Sequence, residues 1–339
     1  MGKVRMADIA AALGVSTVTV HNALTGQKGV SDQLRMRILE TAETMGYRKR
    51  RPAETLLQGE RAPCIGVLIP ERFLAEYATF YTKMYQEMAL EAAEKGCVVT
   101  VEILKAETEK AAGTLPKMVE EQSVDGLILM GDTNRNYIHF LKKKLSFPIV
   151  FLDFYDVELA KDSVIADNFY GMYLMTEYLY EQGFDEMAFV GSLHFSSSIM
   201  DRFCGFYKAV LKHHGTLPEE WLIEDRDEEG QIVVALPEKM PQAFVCNCDL
   251  TAGTLIMELE KKGIHVPEDV SVVGFDNYLY PGFPWQKVTS YEVNTKAMVK
   301  VALGKVLKQL RSKGSGKNLE IITGKIVQKD SVRKKGKKA

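Results

Sequence analysis

Met6-Ala-Asp-Ile-Ala-Ala-Ala-Leu13-Gly14-Val15-Ser16-Thr17-Val-Thr-Val-His-Asn-Ala-Leu24 decides how the chain begins. Residues 6–13 are good helix formers, and Ile9 and Leu13 stand one helical turn apart on one face. Gly14 can end that helix with a positive φ. Ser16 is a natural N-cap, so a second helix is predicted over Thr17–Leu24. Two short helices joined by a tight turn containing glycine have helix-turn-helix geometry. A third helix is predicted from the cap Ser31 through Leu34, Ile38, Leu39 and Ala42 to Met45, with Gly46 ending it.

The second helix turns Val20 and Leu24 inward and leaves Thr17, Val18, His21 and Asn22 outside. Each exposed type has a use against a duplex. Ser16 can offer its hydroxyl and nearby N–H groups to a phosphate. Thr17 can hydrogen-bond a base edge, Val18 can pack on a thymine methyl, and Asn22 can pair bidentately with adenine. Met6, Thr25 and Ser31 complete the candidate DNA-contacting set within the three helices. A three-helix module that holds another protein has the same shape, but the polar, β-branched face favours DNA.

Outward toward the C-terminus lies Arg48-Lys-Arg-Arg51-Pro52-Ala-Glu-Thr-Leu-Leu57-Gln-Gly59. Four cations stand beside a proline suited to a first helical position. A helix this short is unstable alone in water. It would order only against DNA or a partner chain, with Arg50 and Arg51 on phosphates and Leu56 or Leu57 as a minor-groove wedge. A flexible, solvated linker is the other reading of the same residues. The net charge of −2 hides an asymmetry: residues 1–61 hold 10 Lys+Arg against 6 Asp+Glu, the rest 33 against 39. A basic head on an acidic body points to an anionic partner at the head.

From residue 64 short apolar runs alternate with amphipathic stretches. Strands are predicted at 64–69, 98–103, 126–130, 149–153, 163–166, 187–190, 243–246, 270–275 and 287–291. Helices are predicted at 80–95, 171–182, 201–213 and 251–262, among others. Such alternation implies parallel sheets with helices on both faces, and the strand number implies two lobes. Ligands of such sheets sit beyond the strands' carboxyl ends. Asp153, Ser196, Ser197, Ser198, Arg202, Cys248, Asp249 and Asp276 all follow predicted strand ends. Carboxylates and an arginine there can bind hydroxyls bidentately, and Phe80, Tyr81 and Tyr278 can stack on a sugar face. Singly, each carboxylate reads as well as a helix cap or surface ion pair.

Other classes find little support. The sequence holds no long apolar run for a membrane span and no apolar leader after Met1, which predicts a cytoplasmic protein. No phosphate loop, nucleophile elbow or metal-spaced histidine cluster is present, so no enzyme and no cofactor is expected. The cysteines Cys64, Cys97, Cys204, Cys246 and Cys248 read as reduced, partly buried thiols. The cations from Arg333 to Lys338 read as a solvated tail.

The motifs together resemble the lactose-repressor (LacI/GalR) family of bacterial regulators. Asp8-Ile-Ala, Leu13-Gly-Val-Ser16, Thr19-Val20 and Ala23-Leu24 resemble its helix-turn-helix, and Val30-Ser31 to Tyr47 its third helix. Ile65-Gly-Val-Leu-Ile-Pro70, Asp125-Gly-Leu-Ile-Leu129, Asp167-Asn168, Val266-Pro-Glu-Asp-Val-Ser-Val-Val-Gly-Phe-Asp276 and Lys329-Asp-Ser-Val332 resemble its body motifs. The resemblance implies a homodimer, or a dimer of dimers, on a palindromic double-stranded operator. It also implies a core like a periplasmic sugar-binding protein, crossed three times by the chain. Asp153, Arg202, Asp276, Phe80 and Tyr81 match effector-contacting positions, Cys248-Asp249 stands where Asn-Asp is usual, and Leu56 matches the hinge leucine. His21-Asn22 replaces the usual Ser-Arg, so a different operator is expected.

The expected organisation is a helix-turn-helix domain at 1–47, a hinge at 48–61, a two-lobed core at 62–339 and a basic tail at 333–339. The N-lobe takes about 62–162 and 291–322, and the C-lobe about 163–290 and 323–332. The expected function is a repressor released by a sugar or similar small polar effector. A ligand that acts as corepressor, an activator, and a cytoplasmic sugar-binding protein without DNA remain as alternatives.

Overall fold

The computed structural model describes residues 6–25, 29–45, 62–74, 79–156, 158–159, 162–227, 230–278, 280, 287–311 and 318–334, without the side chains of residues 7, 21, 25 and 43. The chain divides into two units, Met1–Glu60 and Arg61–Ala339.

The first unit holds α1 (Met6–Leu13), α2 (Thr17–Thr25) and α3 (Asp32–Thr44). Their apolar faces meet in a small core of Ile9, Ala10, Val20, Ala23, Ile38 and Ala42. Gly14 takes φ +66 at the end of α1. There Gly14 N donates to Ala11 O (3.4 Å) and Val15 N to Ala10 O (3.0 Å), so two carbonyls that the helix leaves over are satisfied.

The second unit contains two six-stranded sheets. In the first lobe stand β1 (Cys64–Pro70), α4 (Phe80–Glu94), β2 (Val98–Leu104), β3 (Gly126–Met130), α5 (Arg135–Lys144), β4 (Ile149–Leu152) and β5 (Asp162–Ala166). The second lobe follows with α6 (Asn168–Glu181), β6 (Met187–Val190), α7 (Ser197–Lys212), β7 (Leu222–Ile223), β8 (Ala243–Cys246), α8 (Asp249–Lys261), β9 (Ser271–Asp276) and β10 (Thr289–Glu292). The chain then returns to the first lobe for α9 (Thr295–Arg311) and β11 (Leu319–Ile322), and ends its sheets with β12 (Lys325–Val327) in the second.

The first sheet runs β11-β5-β4-β3-β1-β2, all parallel. The second runs β12-β10-β9-β8-β6-β7, parallel except for the β10–β12 pair. Central strands are buried on both faces, as parallel sheets require. Two boundaries move from their expected places. β5 pairs with β4 and β11, so the chain leaves the first lobe after Ala166, not at 162. β10 pairs with β9, so it returns after Glu292 rather than at 290. In both cases the expected boundary cut through a hydrogen-bonded strand. Among the cysteines, Cys204 is exposed rather than partly buried, and all five are free.

Candidate functional site

Two surfaces bear on function, one in each unit. In the first unit, α2 is fixed at both ends. Thr19 N donates to Ser16 Oγ at 3.0 Å, the N-cap bond expected there. Arg35 on α3 donates from NH1 to Asn22 O (3.0 Å) and Ala23 O (2.9 Å), a cation on carbonyls of the last turn. Held so, α2 presents Thr17 and Val18 to the outside, with Val18 65% exposed, and keeps Asn22 half-buried. Ser31 caps α3 by accepting from Leu34 N. Met6 packs partly buried against the core rather than standing free. The side chains of His21 and Thr25, and the whole of Arg50, Arg51 and Leu56, lie outside the described residues.

In the second unit, a cleft of about 350 Å³ is lined by side chains of both lobes. Asp153 follows β4 with φ +68, and Asp276 closes β9 with φ +98. Both carboxylates are buried, at 5% and 7% exposure. Tyr81, in the first turn of α4, donates to Asp153 Oδ2 at 2.7 Å. Ser198, at the start of α7 in the other lobe, donates to Asp153 O at 3.3 Å. Arg202 lies on the next turn of α7. Its Nε donates to Asn168 Oδ1 (2.8 Å), NH1 to Asn247 O (2.8 Å) and NH2 to Asp276 Oδ1 (3.3 Å). The Phe275 ring supports the guanidinium at 4.0 Å. Phe80 lines the cleft while largely buried, set edge-on to Tyr81.

Burial in this cleft disfavours charge. Asp276 is pushed up to about 7 by burial, against the pull of Arg202 and with a push from Asp153. Burial raises Asp153 as well, opposed by Arg202. The Asp153 Oδ1 atom is buried with no partner among the described residues. A buried acceptor left bare in this way is expensive, so it marks a place where a ligand donor fits.

Of the expected effector residues, Phe80, Tyr81, Asp153, Ser198, Arg202, Cys248 and Asp276 converge on the cleft. Asp249 does not line it. Its Oδ1 accepts from Ser290 Oγ (2.7 Å) and its Oδ2 from Tyr278 N (2.8 Å), which ties the start of α8 to β10 and to the loop after β9. Burial, then Asp276, pushes its carboxyl up to about 8. Tyr278 does not line the cleft either; Tyr280 does, set edge-on against it. Cys248 stands at the N-cap of α8 and makes no cap bond, since a thiol accepts weakly.

Several lining residues escape the sequence reading. Asp132 follows β3, and the strand-end rule would have found it. Phe73 ends a single 3-10 turn (Glu71–Phe73) and Phe195 sits in a loop, where no periodicity marks them. Asp225, fully buried behind the wall, follows a strand of two residues that left no pattern. It accepts from Ser192 N (2.8 Å), Asn247 Nδ2 (2.6 Å) and Arg226 NH1, and so fixes three loops at once.

The two units match two known families. Residues 5–49 match the model described as bacterial regulatory proteins, lacI family. Residues 176–332 match the periplasmic binding protein-like domain. The chain thus joins a segment that matches the lacI family of bacterial regulatory proteins to one that matches a periplasmic binding protein-like domain. Its relatives include the HTH-type transcriptional repressor PurR of Aliivibrio fischeri, 25% identical over 333 residues, 96% of this chain and 97% of that protein. The HTH-type transcriptional regulator RegA of Clostridium saccharobutylicum is 27% identical over 335 residues, 96% and 98% of the two chains. The fold is that of the Lac repressor dimer bound to operator and an anti-inducer (TM-score 0.62, 20% identity, 97% and 99% covered). It is equally that of the regulator CelR in complex with cellobiose (TM-score 0.65, 19% identity, 97% and 100% covered). These two full-length relatives are named as a repressor and a regulator of transcription, and most of the second lobe carries the match to a periplasmic binding protein-like domain.

Proposed function

We propose that this protein is a ligand-responsive transcription repressor that holds a palindromic operator as a homodimer and lets go when a small polar effector, of the sugar class, fills the cleft. One observation carries this reading: a buried acceptor and a fixed guanidinium converge between two lobes of a chain that begins with a helix-turn-helix. Thr17, Val18, His21 and Asn22 read base edges, and Ser16 and Ser31 meet phosphates at helix N-termini. Arg50 and Arg51 add phosphate contacts, and Leu56 enters the minor groove.

Effector hydrogen-bond donors reach Asp153 Oδ1 in one lobe, and effector hydroxyls meet Arg202 and Asp276 in the other. The ligand therefore favours the arrangement in which both walls reach it. That difference in affinity, typically about 1–3 kcal/mol of coupling, shifts the population between operator-competent and operator-released forms. A second copy is expected to cover the edge strand β2, where Val98, Val101 and Ile103 are exposed.

Footprinting of the purified chain on genomic DNA, with and without a panel of sugars, tests the reading. Protection of a palindrome that one sugar abolishes is the expected result. A ligand that strengthens protection reverses the sign, and no protection at all removes the DNA role. Operator affinity should also fall steeply with salt, because each phosphate contact releases counterions.

A further inference from the structure

The cleft lining holds three carboxylates, Asp132, Asp153 and Asp276, and three guanidinium groups, Arg72, Arg202 and Arg226. The cations are not equally available. Arg72 is bound to Glu109 and to the Asp132 carbonyl. Arg226 NH1 is bound to both oxygens of Asp225, at 2.7 and 2.6 Å. Each of these arginines is neutralised by a carboxylate outside the lining. Among the described residues, Arg202 is the lining arginine that hydrogen-bonds a lining carboxylate, Asp276, and its other bonds go to Asn168 and Asn247.

The deficit falls on the first lobe. β3 and β4 are neighbours, with Met130 opposite Leu152, so Asp153 follows β4 by one residue, Asp132 follows β3 by two, and both line the cleft from adjacent strand ends. Asp132 Oδ2 accepts from Ser197 N (3.2 Å), and Asp153 Oδ2 from Tyr81 (2.7 Å). Neither donor carries a charge. Asp153 Oδ1 has no partner among the described residues, although the residue is 5% exposed. Phe73 and Tyr81 pack beside this pair, their rings 4.8 Å apart, on Gly131, where a Cβ would lie 2.7 Å from Phe73. Aromatic walls of this kind keep water from screening the two acids. Burial also raises both carboxyls, against the pull of Arg72 on Asp132 and of Arg202 on Asp153.

Resting on the ligand-binding reading above, we propose that the effector is a hydroxylated molecule with a protonated amine, an amino sugar or amino polyol, whose ammonium seats between Asp132 and Asp153. An ammonium brings three donors and one positive charge, which matches two neighbouring carboxylates with a bare oxygen. Its hydroxyls extend toward Arg202 and Asp276 across the cleft. A neutral polyol would satisfy the bare oxygen but not the charge.

Calorimetry on the full chain, at a pH where the amines are protonated, tests this with matched pairs. The probes are D-glucosamine with D-glucose, D-galactosamine with D-galactose, D-mannosamine with D-mannose, and D-glucamine with D-sorbitol. At least one amine should bind about tenfold or more tightly than its neutral parent, a difference of about 1.4 kcal/mol. Asp132→Asn should bring that amine to within about twofold of its parent, while its melting temperature and operator binding report that it has folded. Equal or tighter binding by every neutral parent overturns the proposal, as does failure of every amine to bind. Uptake of one proton with a neutral sugar, seen by titration in buffers of different ionisation enthalpy, also overturns it. None of these results touches operator footprinting, by which the regulator reading stands or falls.

Discussion

The reading head and the cleft treat their polar groups in opposite ways. In α1–α3, Ser16, Ser31 and Arg35 all turn back onto the backbone of their own unit and leave the outward face of α2 held but unengaged. In the cleft, Asp153 keeps one buried oxygen without a partner among the described residues. The head is finished before it meets anything, as a rigid surface that reads a groove should be. The cleft is left incomplete, and what completes it is a molecule from outside. Changes to the head should therefore alter DNA binding or local stability without touching the effector, and changes to the cleft the reverse.

The largest expected effect is that of Arg202→Met. Methionine can keep the apolar stem beside Phe275, but it leaves Asp276, Asn168 and the Asn247 carbonyl without their shared donor. Removing one partner of a buried pair costs about 3–5 kcal/mol. Urea unfolding of the variant should show a loss of that order, and release of DNA by effector should disappear. Operator binding without effector should persist in whatever fraction stays folded. If release survives intact, the cleft is not where the effector acts.

The next effect is a pH dependence of unusual sign. Asp249, with its carboxyl pushed up to about 8, keeps in the folded state a proton that the unfolded chain releases in the ordinary carboxylate range. Below that range both states are protonated and the contribution is whole. As pH rises toward about 8 it is progressively lost, and above that it is level. Asp276, pushed up to about 7, acts in the same direction. Thermal melts from pH 5 to 9 should thus show falling core stability, and Asp249→Asn should flatten the slope. An unchanged slope in that variant would assign the dependence to other groups.

How much of this was legible in the chain follows from how far apart the partners lie. The head could be read almost to the residue, because Gly14, Ser16 and Val20 act on neighbours within two turns. The strands of the core were legible too, since an apolar run needs no partner to be recognised; β3, β6 and β8 fall where they were expected. The edge strands β7, β11 and β12 are short or half-exposed, and they carry no such pattern. At the site, strand-end placement found Asp153 and Asp276 but also Asp249, which follows β8 as expected and yet turns beneath the cleft toward Ser290. Sequence places a residue at a strand end; only the packing of the next element decides which way its side chain points.

A smaller effect belongs to the head. Arg35→Met removes the donor that holds Asn22 O and Ala23 O, and hydrogen bonds from a charged group contribute about 1.5–3 kcal/mol. Melting of the first unit should drop accordingly, and operator affinity with it, because α2 loses its C-terminal anchor. Effector binding by the core should not change, and a change there would mean that the two units are not independent in the way their separate cores suggest.

The finest comparison lies inside α2, between Ser16 and Val18. Ser16→Ala removes the N-cap bond to Thr19 and should cost about 1 kcal/mol of stability. Val18 is 65% exposed and outside the small core, so Val18→Ala should change stability by no more than about 0.5 kcal/mol. Their effects on operator binding should rank the other way if Val18 packs on a thymine methyl. Val18→Ala should then lose about 1 kcal/mol or more of discrimination at one base pair. Ser16→Ala should weaken binding to all sequences alike, since a phosphate contact carries no base identity. Binding assays on operators altered one base pair at a time separate the two. A Val18→Ala variant that binds every operator as the parent does would move the reading face of α2 away from its first turn.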